Sequence, residues 1–119
     1  MEIFKLKNRK HKFSPSYGLY RIYILGGLSV ENLDSLDAKL TKVNTGEIIS
    51  LKEINWKPSE YINGEKAVAC YDFQINEADD YEIEFDNIES LEVKKSKLFI
   101  RNLLFPSNVS LDDIKIVIK

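Results

Sequence analysis

The stretch Phe73-Gln74-Ile75-Asn76-Glu77-Ala78-Asp79-Asp80-Tyr81-Glu82-Ile83-Glu84-Phe85 decides the fold. Tyr71, Phe73 and Ile75 point one way before a polar turn, and Tyr81, Ile83 and Phe85 point one way after it. Glu82, Glu84 and Asp86 take the opposite face. Strict alternation is the pattern of a half-buried antiparallel strand, because successive side chains leave opposite faces of a sheet. The stretch is read as a hairpin or a sheet-to-sheet corner whose apolar face builds the core.

Working outward, the same pattern recurs. Glu2 to Lys7 predicts a first strand, followed by a basic turn over Asn8-Arg9-Lys10-His11-Lys12. Tyr17 to Leu25 is rich in aromatic and β-branched residues. It is apolar on both faces except at Arg21, which predicts a central strand covered on each side or lying near an interface. Gly26-Gly27 ends it, and Ser29 to Ser35 has room for one helical turn. Asp37–Val43 and Glu47–Ile54 flank Asn44-Thr45-Gly46, a usual hairpin connection. Residues 55–65 carry Trp56, Pro58, Tyr61 and Asn63-Gly64 and read as the longest loop. Lys66 to Ile75 is a strand with Ala67, Ala69, Tyr71, Phe73 and Ile75 on one face. Further strands are expected at Tyr81–Asp86, Ser90–Lys95, Lys97–Phe105 and Asp112–Ile118. Short strands at regular spacing with no sustained helical period predict an all-β fold, an antiparallel two-sheet β-sandwich.

Phe13 through Tyr20-Arg21-Ile22 echoes Phe73 through Tyr81-Glu82-Ile83: a phenylalanine, a polar turn, then Tyr-charge-Ile. It is too short for a repeat and reads as a quasi-symmetric pair of corner strands. The second copy resembles the tyrosine corner of immunoglobulin-like domains, with Glu77 four residues before Tyr81. Asp79 stands where a small residue is usual, and Ile83 where those domains carry a cysteine. The resemblance implies an immunoglobulin-like topology, in which the tyrosine hydroxyl ties back to the turn, and it implies nothing about function. A jelly-roll-like topology is the alternative.

A chain of 119 residues, 44% hydrophobic and 30% charged, is read as one domain over residues 1–119, able to bury a core without disulfides or metals. The one cysteine, Cys70, fits a reducing compartment. The N-terminus has no signal-peptide pattern, and the most apolar run, Leu19 to Val30, is too short to span a bilayer. The expected location is the cytoplasm, or else the chain is a domain of something larger.

The least ordinary feature is charge segregation. Ala67 to Val93 holds no lysine or arginine but carries acids from Asp72 to Glu92, whereas Lys5, Lys7, Arg9, Lys10 and Lys12 cluster near the N-terminus. Glu82, Glu84 and Asp86 form either an acidic face that steers a cationic partner or the solvated, aggregation-blocking face of an amphipathic strand. Asp79 and Asp80, with Glu77 or Asp86, are the hard oxygen ligands calcium would use, without the spacing of a calcium loop. Trp56 and Tyr61 either stack on a sugar or partner side chain, or Trp56 caps the core over Ala67 and Ala69. Tyr17, Leu19, Tyr23 and Leu25, if left uncovered, would form a self-association patch and a weak homodimer.

Catalytic inventory is thin: His11 is the only histidine and is distant in sequence from Cys70, and no phosphate loop follows Gly26-Gly27. The expectation is a non-catalytic protein-interaction or accessory module, with Trp56, Tyr61, Glu82, Glu84 and Asp86 as partner-contact candidates. No cofactor, metal, nucleic acid or membrane insertion is expected. A carbohydrate-binding module is the alternative, and an acidic immunity-type inhibitor the third reading.

Overall fold

The computed structural model describes residues 1–25, 29–31, 37–55, 58–86, 92–94 and 114–119. The chain is all-β in these segments apart from a short 3-10 turn at Leu6–Asn8. In chain order the strands are β1 (Glu2–Lys5), β2 (Lys10–Phe13), β3 (Gly18–Leu25), β4 (Ser29–Glu31), β5 (Asp37–Lys42) and β6 (Ile48–Ile49). They continue with β7 (Lys52–Glu53), β8 (Ser59–Ile62), β9 (Glu65–Ile75), β10 (Tyr81–Asp86), β11 (Glu92–Lys94) and β12 (Lys115–Ile118). One sheet runs β1-β12-β3-β9, with β7 and β8 sharing the outer edge of β9; the other runs β2-β10-β5-β6. β4 and β11 pair with each other. Every pairing is antiparallel.

The two main sheets share one core, as in a β-sandwich. Ile22, Ile24, Phe73, Ile116 and Ile118 from the first sheet meet Phe13, Leu40, Tyr81, Ile83 and Phe85 from the second. The alternation in β10 is realised: Tyr81, Ile83 and Phe85 are buried and Glu82, Glu84 and Asp86 face away. Ile114, Ile116 and Ile118 are buried as their spacing requires. The doubly apolar Tyr17–Leu25 run yields β3, an interior strand. Its other face puts Tyr23 and Leu25 into a second cluster with Ile62, Ala67, Ala69 and Val117.

Two of the chain's crossings between the sheets are linked corners. Residues 14–17 carry it from β2 to β3, and residues 76–80 from β9 to β10. The strand leaving each corner pairs with the strand entering the other: Tyr81 of β10 lies opposite Phe13 of β2 in one sheet, and Tyr20 of β3 opposite Phe73 of β9 in the other. The Tyr20 and Phe73 rings stack at 5.4 Å. The Tyr81 hydroxyl donates to the Glu77 carbonyl at 2.8 Å, and the Tyr20 hydroxyl donates to the Ser16 carbonyl at 2.8 Å. Both tyrosines thus tie back four residues, and the Ser14 hydroxyl donates to the Asp80 carboxylate to join the corners.

Several expectations change. The basic turn shrinks to residues 6–9. Arg9 takes a positive φ of 63°, its N–H bonds the Leu6 carbonyl, and Lys10–Phe13 becomes an edge strand with His11 opposite Ile83. The predicted arm Glu47–Ile54 splits, β6 pairing β5 in one sheet and β7 pairing β9 in the other. Part of the predicted long loop is β8, which forms a hairpin with β9. Asn63 and Gly64 both take positive φ, 51° and 80°, the conformation that lets a two-residue Asn-Gly turn match strand twist. The register of β3 against β9 shifts between Ile22 and Tyr23, leaving Cys70 as an extra, core-facing residue. That bulge puts Ala67 and Ala69 on the opposite face from Phe73 and Ile75. Ser29–Glu31 is strand, not helix. The predicted strand Lys97–Phe105 lies outside the described residues.

The corners predict unequal costs for removing their hydroxyls. Tyr81→Phe strands a partly buried carbonyl and costs about 1 kcal/mol, the net value of an intramolecular hydrogen bond. Tyr20→Phe costs less, because the exposed Ser16 carbonyl regains water. Urea unfolding midpoints of the two variants check this; equal shifts would contradict it.

Candidate functional site

At the corner end, Lys42 sits at the close of β5 with its side chain only 9% exposed. Its ammonium lies 3.0 Å from the Glu77 carboxylate and 3.6 Å from Asp79. Asp79 also accepts from the Asn44 amide and the Asp80 N–H, each at 2.7 Å. The Asp80 N–H, then Asn44 and Lys42, hold the Asp79 carboxyl below the ordinary range against its partial burial. Glu77 pushes the Lys42 ammonium up, and burial pushes the Tyr81 phenol up. Of the acids read as calcium ligands, Glu77, Asp79 and Asp80 are thus engaged with Lys42, Asn44 and Ser14. Among the described residues no group of His, Cys, Asp and Glu is placed to hold a metal ion. This cluster fastens the β5–β6 turn to the β9–β10 corner.

The acidic stripe of β10 is not alone on its face. Glu82 stands between Lys12 and Thr41, and Glu84 between Lys10 and Lys39, with Lys10 Nζ 3.6 Å from Glu84. Lys12, Lys39, Thr41, Val43, Glu82 and Glu84 line a shallow depression of about 320 Å³. Lys10 and Lys12, from the basic cluster that looked segregated in sequence, are cross-strand neighbours of these acids. Opposite charges facing each other across strands stabilise the pair and cancel much of the distant field. Asp86 is exposed, opposite Asp37.

Tyr61 is 78% exposed, next to the Asn63-Gly64 turn, while Trp56 lies outside the described residues. Tyr61 and the β10 acids belong to different sheets, so the candidates fall on separate surfaces. His11 stacks on Phe4 at 4.3 Å and pairs with Glu2 at 3.1 Å. Cys70 is buried, its thiol donating to the Val68 carbonyl.

One surface escaped the sequence reading in this form. The self-association patch divides: Tyr23 and Leu25 are buried, whereas Tyr17 and Leu19 are 71% and 80% exposed. Beside Leu19 opens a groove of about 470 Å³, bounded by Arg21, Asp72, Gln74, Ser50 and Lys52. Arg21 and Asp72 face each other across β3 and β9 and form a two-pronged ion pair at 2.7 and 3.3 Å. Lys119 borders the groove, paired with Glu60 at 2.7 Å and lying over the Tyr23 ring. Residues 19, 21, 72 and 74 were readable as strand positions, but their assembly depends on the β3–β9 register and on β7 stopping short.

Comparison with protein-family models, curated proteins and solved structures finds no match to this chain. Among the described residues no helix is long and apolar enough to cross a membrane.

The corner cluster carries a pH signature. A carboxyl depressed on folding contributes stability that is present above its unfolded pKa and lost as pH falls through the folded one. Asp79→Asn therefore lowers the melting temperature at neutral pH and flattens its decline below about pH 4. Lys42, raised on folding, contributes stability that is lost only as pH rises through its elevated value. Thermal unfolding across the acid range checks this, and parallel acid curves for wild type and variant would contradict it.

Proposed function

We propose that this chain is a non-catalytic protein-interaction or accessory domain that docks its partner on the outer face of the six-stranded sheet, at Tyr17 and Leu19. The observation that carries the reading is Leu19, 80% exposed on an interior strand whose next outward apolar residues, Tyr23 and Leu25, are buried. Large apolar side chains left to water beside a groove mark a surface suited to association. Polar groups at the rim, such as the Arg21–Asp72 pair, then supply orientation. The lysines on the strands flanking Glu82 and Glu84 favour a structural role for that face, so those acids and Asp86 become a secondary, steering surface. Tyr61 is proposed as an outlying contact on the β8–β9 hairpin.

We read the sandwich as immunoglobulin-like and the chain as one domain over residues 1–119. The support is the Tyr81 corner hydrogen bond, β3 pairing β9 in one sheet, and β5 pairing β10 in the other. β12 inserted between β1 and β3 is the departure from that plan.

The test is affinity capture from the source cell with wild type, Leu19→Asp and Glu84→Lys, at low and high salt, read by mass spectrometry. A stoichiometric protein should be retained by wild type and Glu84→Lys and lost from Leu19→Asp. Equal retention by wild type and Leu19→Asp would overturn the docking face.

A further inference from the structure

We propose that the groove between Leu19 and Lys52 seats an extended peptide segment of the partner that carries a carboxylate. The proposal rests on the docking reading above and names its ligand chemistry. Most charges around the groove are already satisfied: Arg21 by Asp72, and Lys119 by Glu60. Lys52 is exposed and has no ion partner among the described residues. Opposite it, Asp72 is taken up by Arg21, so among the described residues Lys52 is the groove's cation without an ion pair, in a chain whose net charge is -2. The side chains of Ser50 and Gln74 are likewise without hydrogen-bond partners among the described residues. Besides the Arg21 and Lys119 ion pairs, a ligand entering here meets the Lys52 ammonium, the Ser50 hydroxyl, the Gln74 amide and the exposed Leu19 side chain.

Main-chain direction favours an extended peptide over a small acid. The Arg21 N–H and carbonyl bond Lys119, the residue after β12, at 2.8 and 3.1 Å. Main-chain groups alternate sides along a strand, so Tyr20 turns towards β9 and pairs Phe73. Asp72 and Gln74 then turn their N–H and carbonyl away from β3. Asp72 meets Lys52 of β7. β7 begins at Lys52, and Ser50 and Leu51 lead away towards β6 in the other sheet. Among the described residues, therefore, no strand lies beside the edge of β9 at Gln74, which faces the groove. An extended segment can add there as a short strand, its backbone on Gln74, an acidic side chain at Lys52 and an apolar one at Leu19. Main-chain pairing with side-chain selection is how exposed sheet edges recognise peptides.

The experiment pans displayed random peptides on the full chain and synthesises the leading sequence for calorimetry. The account predicts that enriched sequences share an acid near an apolar residue. Lys52→Glu should weaken the leading peptide at least about tenfold, which is the loss of a favourable charge contact together with new repulsion. Lys5→Glu, the same charge change on an exposed residue of β1, should leave binding unchanged, and circular dichroism should show both variants folded. Enriched peptides without an acid, no enrichment, or equal binding to Lys52→Glu would overturn the proposal. So would full competition by millimolar glucuronate, which would assign the groove to small or sugar acids. If Leu19→Asp loses the captured partner while Lys52→Glu binds it normally, the docking face stands and the peptide groove falls. If Leu19→Asp keeps the partner, the docking face itself falls.

Discussion

The fold depends on two crossings of the chain between sheets that are held against each other. Phe13 leaves one sheet where Tyr81 enters it, and Phe73 leaves the other where Tyr20 has just entered. Each tyrosine keeps its ring by the core and spends its hydroxyl on a carbonyl four residues back. That fixes the angle at which each strand departs. From those departures follow the placement of Ile22 and Ile24 against Ile83 and Phe85, and hence the core. The Lys42 cluster and the Ser14–Asp80 bond brace the same end with polar contacts rather than apolar ones.

Elements with a strong local pattern were legible in the amino-acid sequence. β10, β12 and the β5–β6 hairpin follow from alternation and from Asn44-Thr45-Gly46, and β3 reads as interior because both its faces are apolar. The echo between Tyr20 and Tyr81 anticipated two corners, though not that they pair. What alternation cannot reveal is a break in parity. The bulge at Cys70 moves Ala67 and Ala69 to the other face, and nothing in Lys66–Ile75 marks the extra residue. The Asn63-Gly64 turn was visible but sat between Pro58 and a short polar arm, so β8 read as loop.

The candidate site was less legible for a related reason. Charge along the sequence is segregated, but charge across a sheet is set by which strands become neighbours. Lys10, Lys12 and Lys39 reach Glu82 and Glu84 from strands far apart in the chain. Conversely, Leu19 looks like any outward residue of a buried strand until the cover over Tyr23 and Leu25 stops short of it. The surface proposed for recognition lies where secondary structure runs out: β7 begins at Lys52, and the second cluster ends before Leu19.

The measurement that tests the linked-corner account most directly is a double-mutant cycle with Tyr20→Phe and Tyr81→Phe, read by equilibrium unfolding in urea. Because the strand leaving each corner pairs with the strand entering the other, loosening one should already loosen the other. The account predicts non-additive costs, with a coupling of at least about 0.5 kcal/mol. Strict additivity would mean that the two corners act independently, and it would contradict the account.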